Sequence, residues 1–204
     1  TMQVLCLDLE GVLVPEIWIE FSQRTGIAEF RRTTRDEPDY DKLMRFRLAL
    51  LAQHGLKLAD IQQVIGGMAP LPGAREFLDA MRERFQVIVL SDTFYEFADP
   101  LMRQLGRPTL FCHRLLTDGE GRVSDYRLRQ PDQKRMAVQA LQGLNFRVLA
   151  AGDSYNDTGM LAAADAGFLI HAPAAIEAQF PQFPATHSYA ELRAAIDEAV
   201  RGWG

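Results

Sequence analysis

Val4 to Leu7 is an uninterrupted apolar run that stops abruptly at Asp8, and the same short pattern recurs at Val87 to Leu90, Leu110 to Cys112, Val148 to Ala151 and Phe168 to Ile170. Runs this short and this apolar suit strands buried on both faces of a parallel sheet. Between them, Gly73 to Phe85, Glu96 to Leu105, Asp132 to Leu144 and Thr158 to Ala164 carry helical patterns. Strand alternating with helix predicts an α/β fold with a doubly wound, Rossmann-like parallel-sheet core and right-handed crossovers. In such a core the chemistry gathers at the carboxyl ends of the strands.

The alternation breaks over residues 16 to 71, where helical spacing (Leu43, Phe46, Leu50, Leu51, then Ile61, Val64, Ile65) continues with no strand candidate before Val87. A small helical cap over residues 15–71, inserted into a core of residues 1–14 and 72–204, accounts for this. Hinges are expected near Val14 to Glu16 and Ala69 to Gly73, where Pro15 and Pro70-Leu71-Pro72-Gly73 punctuate the chain. Between His113 and Gln130, the turn residues Asp118-Gly119-Glu120-Gly121 separate two alternating segments and predict a small β-hairpin appendage. The length of 204 residues and a 48% hydrophobic content fit one core with a modest insertion.

A formal net charge of -5 offers no basic face for nucleic acid or anionic lipid. No apolar run approaches the roughly 20 residues that span a bilayer. The first residues lack the basic and small-residue signature of an export signal, so a cytoplasmic protein is expected. Cys6 and Cys112 sit in apolar runs without Cys-x-x-Cys spacing, as buried thiols would. Cys112 and His113 are neighbours on a predicted strand and therefore point to opposite faces.

The chemistry-bearing residues cluster at the predicted strand ends. Asp8 and Glu10 lie two apart, on one side of the chain at the end of the first strand. A pair of carboxylates there needs a cation or a shared proton. One can serve as nucleophile for phosphoryl transfer and the other as acid and base. The second strand ends in Ser91-Asp92-Thr93, a hydroxyl with turn amides suited to a phosphate. Lys134 lies near a helix start, where a cation is unfavourable unless it reaches an anion. The fourth strand runs into Gly152-Asp153-Ser154-Tyr155-Asn156-Asp157, a group of oxygen ligands.

In that order these segments resemble the four motifs of the haloacid dehalogenase superfamily of phosphatases, over essentially the whole core. The resemblance implies that Asp8 is the nucleophile, the Glu10 side chain the general acid and base, and that Mg²⁺ is bound by Asp8, the Glu10 carbonyl and Asp153. It also implies that Ser91 and Lys134 hold the phosphoryl oxygens, with Asp157 supporting Lys134. Glu10 departs from the Asp usual at that motif position, which requires the proton donor to sit differently.

Glu16, after Pro15, and Arg47, on the predicted cap helix, form a candidate clamp for a zwitterion, Arg47 on its carboxylate and Glu16 on its ammonium. With Ser91, Asp92, Lys134 and Asn156 they make up the candidate substrate-binding set. Glu16 and Arg47 look like the amino-acid-binding residues of the phosphoserine phosphatase family, and the motif segments, Glu10 included, are similar to a bacterial branch of it. That branch also passes the phosphoryl group to homoserine. L-phosphoserine and homoserine are therefore the expected small-molecule partners, with a sugar or nucleotide phosphate as the alternative substrate. The hairpin and Trp203 could contribute to a homodimer interface. A receiver-type signalling module shares the aspartyl-phosphate chemistry, but its phosphoacceptor follows a middle strand and it has no place for the cap.

Overall fold

A computed structural model describes residues 2–204. Seven strands form one sheet in the order β4-β3-β2-β1-β5-β6-β7. They are β1 (Gln3–Leu7), β2 (Gln86–Phe94), β3 (Thr109–Thr117), β4 (Val123–Arg127), β5 (Arg147–Gly152), β6 (Ala166–Ile170) and β7 (Ala185–Thr186). Every neighbouring pair is parallel except β3 with β4. β1 lies centrally between β2 and β5, with Leu7 paired to Val89 and to Ala151, so Asp8 emerges at the middle of the sheet's carboxyl edge.

Side chains alternate across the sheet as period-two geometry requires. Leu5, Leu7, Val87, Val89, Leu149 and Ala151 belong to one buried layer, and Val4, Cys6, Leu90, Val148, Ala150 and Leu169 to the other. The helices are α1 (Ile17–Thr25), α2 (Tyr40–Gln53), α3 (Leu58–Gly66), α4 (Ala74–Arg82), α5 (Tyr95–Gln104), α6 (Gln133–Gly143), α7 (Thr158–Ala163), α8 (Ala174–Gln179) and α9 (Tyr189–Arg201). The second layer is completed by Val138 of α6, Met160 of α7 and Ile176 of α8. The first takes Leu78 of α4, Leu101 of α5 and Ile196 of α9.

Between β1 and α4 the chain forms α1 to α3 and a 3-10 turn at Ala28–Arg31, with no strand. Phe21, Phe30, Met44, Leu51 and Ile61 join the same apolar layer as the sheet, so this helical unit is packed down continuously. Trp18 joins the two parts, its ring 4.8 Å from Phe97 of α5 and 5.6 Å from Phe30. Aromatic pairs of this kind add about 0.5–1.5 kcal/mol beyond their burial. A second joint follows from Pro100 inside α5, which has no N–H for the carbonyl one turn back. The side-chain amide of Gln62 in α3 donates to that Glu96 carbonyl instead, at 3.0 Å.

The hairpin expected around Asp118 to Gly121 forms within the sheet, which corrects its reading as an appendage. β3 pairs with β2 through Phe94↔His113 and continues directly into pairing with β4 through Leu115↔Tyr126, so its backbone has ladder partners along its length. Asp118 closes the turn by accepting from the Glu120 and Arg122 amides. The elements β7, α8 and α9 lie in the stretch for which the sequence offered no strong run. Among the described residues, no helix is long and apolar enough to cross a membrane.

Candidate active site

The site is built on three neighbouring strand ends and one helix start. Asp8 follows β1, Ser91 lies in β2 where the ladder to β3 shifts register after Leu90, and Asp153 follows β5. Lys134 stands in the first turn of α6 with its side chain buried. Its ammonium donates to Asp8 Oδ1 at 3.0 Å and to Asp157 Oδ1 at 2.8 Å. Burial by itself would lower the Lys134 pKa, but Asp157 and Asp8 outweigh it and hold the amine protonated. This is the anion-directed arrangement that its unfavourable position on the helix suggested.

Asp157 is fully buried, and both of its oxygens are occupied. Oδ1 takes Lys134, while Oδ2 accepts from the backbone N–H of Asp153 at 2.9 Å and of Ser154 at 3.2 Å. It therefore orients Lys134 and the Asp153 turn. Gly152 leaves room for it, since a Cβ there would lie 2.4 Å from the Asp157 carboxyl. Gly11 has φ +82°, and a Cβ on it would lie 1.9 Å from Asp153 Oδ2. The loop after β1 can approach Asp153 only because that residue is glycine.

Asp8, Asp153 and Asp157 each place an oxygen within 4.8 Å of the others. Burial, and then Asp157, push the Asp8 carboxyl well above its ordinary range against the pull of Lys134. Burial likewise raises Asp153 to about 7, with Asp157 and Glu16 adding to it. Three carboxylates against one ammonium leave negative charge uncompensated, which a hard divalent cation would neutralise. With Asp157 committed, Asp8 and Asp153 are the side chains free to ligate. The backbone bridge between Glu10 and Val14 uses the Leu9 carbonyl and the Gly11 amide, so it does not spend the Glu10 carbonyl. These oxygen donors fit a magnesium ion.

The Glu10 side chain reaches the start of α1, where its Oε1 accepts from the Ile17 backbone N–H at 3.1 Å. The methylene by which Glu exceeds Asp gives it that reach. Burial and the nearby Glu16 raise its pKa to about 8. Glu16 precedes α1 with no side-chain capping bond and lines the same small cavity, of about 80 Å³, as Asp8, Glu10, Ser91, Lys134 and Asp153. Asp92 and Asn156 line it too.

Arg47 does not line this cavity. Its guanidinium lies 4.6 Å over the Trp18 ring, Nη2 donates to the Arg32 carbonyl at 3.0 Å, and the buried Nε has no partner. Burial lowers its pKa, while Tyr40, Glu10 and Glu16 act in the opposite sense. The structure thus brings Asp8, Glu10, Glu16, Ser91, Asp92, Lys134, Asp153 and Asn156 together, with Arg47 acting on Glu10 and Glu16 from off the cavity lining and Asp157 bonded to Lys134.

Two participants escaped the sequence reading. Gln133, also buried, donates from its amide to the Ser91 carbonyl at 2.7 Å and to Asp92 Oδ1 at 3.1 Å, which ties the start of α6 to the end of β2. His113 approaches the same Asp92 oxygen at 3.2 Å through Nε2 and accepts the Arg129 N–H at Nδ1, 2.9 Å away. Nothing in a lone Gln or an apolar-run His signals such a role; adjacency to Lys134 was the only available hint for Gln133. Cys6 and Cys112 are buried free thiols. Burial pushes Cys6 up to about 12, and Cys112 is raised as well, so neither is a nucleophile.

A family model described as haloacid dehalogenase-like hydrolase matches residues 2–165. The chain is 63% identical over 192 residues to a phosphoserine phosphatase of Pseudomonas syringae pv. tomato, covering 94% of this chain and 81% of that one. It is 62% identical over 192 residues to the phosphoserine phosphatase ThrH of Pseudomonas aeruginosa, covering 94% of both. Among solved structures, a phospho-aspartyl intermediate analogue of phosphoserine phosphatase superposes with a TM-score of 0.76 at 17% identity, covering 96% of this chain and 99% of that one. At that identity the superposition speaks for the fold.

Proposed function

The chain belongs to the haloacid dehalogenase-like hydrolase family, and from that premise we propose that it is a magnesium-dependent phosphoserine phosphatase that forms an aspartyl-phosphate on Asp8 and also transfers the phosphoryl group to homoserine. The observation that carries this reading is the Asp8 carboxylate at the central strand end, held by Lys134 and facing Asp153 within one small cavity. The names and identities of the two Pseudomonas relatives support the substrate. Residues 15–71 act as the cap and the remainder as the phosphotransfer core.

Glu16 receives the ammonium of L-phosphoserine, and Arg47, whose Nε lacks a partner, the carboxylate. Ser91 and Lys134 hold the phosphoryl oxygens, assisted by the backbone amide of Asp92 and by Asn156. Asp8 attacks phosphorus in line as the bond to the serine oxygen breaks, and Glu10, kept protonated to about 8, gives its proton to that oxygen. Water then displaces the phosphoryl group from Asp8 with Glu10 as base, or the homoserine hydroxyl does so. Asp8, the Glu10 carbonyl and Asp153 would hold magnesium, which when bound would supply charge neutralisation at the phosphoryl oxygens. Asp157 keeps Lys134 in place.

The test is incubation with Mg²⁺ and L-phosphoserine, with and without homoserine, following phosphate and phosphohomoserine beside an Asp8→Asn control. Asp8-dependent phosphate release with phosphohomoserine formation supports the full reading. Phosphate alone reduces it to a phosphatase, and no product from phosphoserine overturns the substrate.

A further inference from the structure

A second cavity, of about 360 Å³, opens beside the small one and shares three lining residues with it, Asp92, Lys134 and Asn156. Tyr40, at the start of α2, stands on its cap side, and Leu128, Pro131 and Gln133 on its core side. Its walls divide by chemistry. Leu128 and Pro131 offer apolar surface, while Asp92 offers a carboxylate whose placement is fixed by its neighbours.

The hydrogen bonds define that carboxylate's state. The Arg129 N–H donates to His113 Nδ1, so the ring proton sits on Nε2, which donates to Asp92 Oδ1 at 3.2 Å. Gln133 donates to the same oxygen. Although burial would raise Asp92, the bond from His113, the charge of Lys134 and the bond from Gln133 hold it down to about 2. No donor among the described residues takes Oδ2, and the side chain is 48% exposed. A charged oxygen is therefore held, oriented and unpaired, in the wall of a cavity that adjoins the phosphoryl site and shares Asp92, Lys134 and Asn156 with it.

We propose that this cavity is the acceptor site, which takes a small alcohol carrying an ammonium group, with the ammonium against Asp92 and the carbon chain against Leu128 and Pro131. The inference rests on the reading that Asp8 carries a phosphoryl group. The acceptor hydroxyl extends past Asn156 into the small cavity and meets phosphorus on the side opposite Asp8, where Glu10 lines the wall. Its oxygen forms the new bond to phosphorus as the bond from phosphorus to the Asp8 oxygen breaks. The bonding pair returns to the Asp8 carboxylate and the hydroxyl proton passes to Glu10. Short amino alcohols and hydroxy amino acids belong to this acceptor class; alcohols of the same length without an amine do not.

Leu128 is 43% exposed, so a Leu128→Trp variant fills the cavity without disturbing the core. Wild type and variant are given L-phosphoserine and Mg²⁺ with homoserine, ethanolamine or 1-propanol, and the ratio of phosphorylated acceptor to free phosphate is measured. Because water and acceptor divide one phosphoenzyme, the ratio reports only folded, active molecules. The variant is expected to release phosphate at the wild-type rate without acceptor and to lose at least about tenfold in the ratio for both amines, a loss on the scale of a misfitted binding pocket. Wild type should favour either amine over 1-propanol. An unchanged ratio in Leu128→Trp, or equal transfer to 1-propanol, overturns the acceptor site and leaves phosphoserine hydrolysis standing. A wild type that hydrolyses phosphoserine but phosphorylates no amine overturns transfer and site together. Absence of Asp8-dependent phosphate release overturns the underlying reading.

Discussion

Replacing Lys134 with methionine keeps the apolar stem of the side chain and removes its charge. In wild type that charge makes hydrogen bonds of 3.0 and 2.8 Å to Asp8 and Asp157 from a side chain only 8% exposed. Breaking a buried pair costs about 3–5 kcal/mol because the partner charges remain. With a urea dependence of about 2 kcal/mol per molar, the midpoint should fall by about 2 M in the metal-free protein at pH 7.5.

The loss must shrink in acid. A carboxyl whose folded pKa is raised, as for Asp8 and Asp153, binds its proton more tightly folded than unfolded. Stability therefore rises as pH falls through the folded pKa toward the unfolded value of about 3.9. Neutralising a stranded carboxylate becomes easier by about 1.4 kcal/mol per pH unit, so at pH 5.5 up to about 2.7 kcal/mol of the loss should be recovered. Urea titrations of both proteins in chelator at the two pH values measure this. A Lys134→Met protein as stable as wild type at pH 7.5, or one with the same deficit at both pH values, would refute the electrostatic account of the site.

In the metal-free wild type, stability should decline as pH rises from about 4 to about 8, across the interval between the unfolded carboxylate values and the raised pKa values of Asp153 and Glu10. Magnesium should flatten that profile by competing with the protons, and calorimetric scans with and without it would check this. The phosphorylation step should slow above about pH 8 as Glu10 loses its proton, and a Glu10→Gln enzyme should be slower by about 10²–10⁴ with that limb abolished. Rapid-quench kinetics across pH would expose a limb that persists in the variant, which would exclude Glu10 as the acid. Gly11→Ala sets a Cβ against Asp153 Oδ2 at a φ of +82°, so magnesium affinity should drop by about 10–100-fold, as read by isothermal titration. Arg47→Lys loses the planar fork, and the KM for phosphoserine should rise by about tenfold or more while the chemical step is spared; an unchanged KM would remove Arg47 from the clamp.

The core was legible because its strands are buried on both faces, which forces near-continuous apolar runs such as Val148 to Ala151, and because three of those runs lead into Asp8, Ser91 and, through Gly152, Asp153, which line the small cavity. Lys134 was legible from its unfavourable place at a helix start, and the order of the four segments from their resemblance to the superfamily's motifs. β7 is only two residues long and has too little pattern to read, and α8 and α9 follow no strong strand signal. β3 was split into a core strand at Leu110 to Cys112 and the first arm of a hairpin, because His113 and Arg114 interrupt the apolar run, although the backbone stays extended to Thr117. The Gln133 and His113 contacts were invisible for a different reason. Each spans more than fifteen residues and depends on how α6 and β3 converge on β2, which no local periodicity encodes. Arg47 illustrates the reverse limit: the sequence placed it on a cap helix, while only packing reveals that its guanidinium lies over Trp18, off the cavity lining.

The most direct test of the account is to mix the enzyme with L-phosphoserine and Mg²⁺, quench in acid within one turnover, and map any phosphoryl group by mass spectrometry of the peptides. A transient phosphoryl group is expected on the peptide bearing Asp8, sited at that carboxylate and absent from Asp8→Asn. Phosphate release at full rate with no label on Asp8 at any quench time would contradict it, because water would then attack phosphoserine directly.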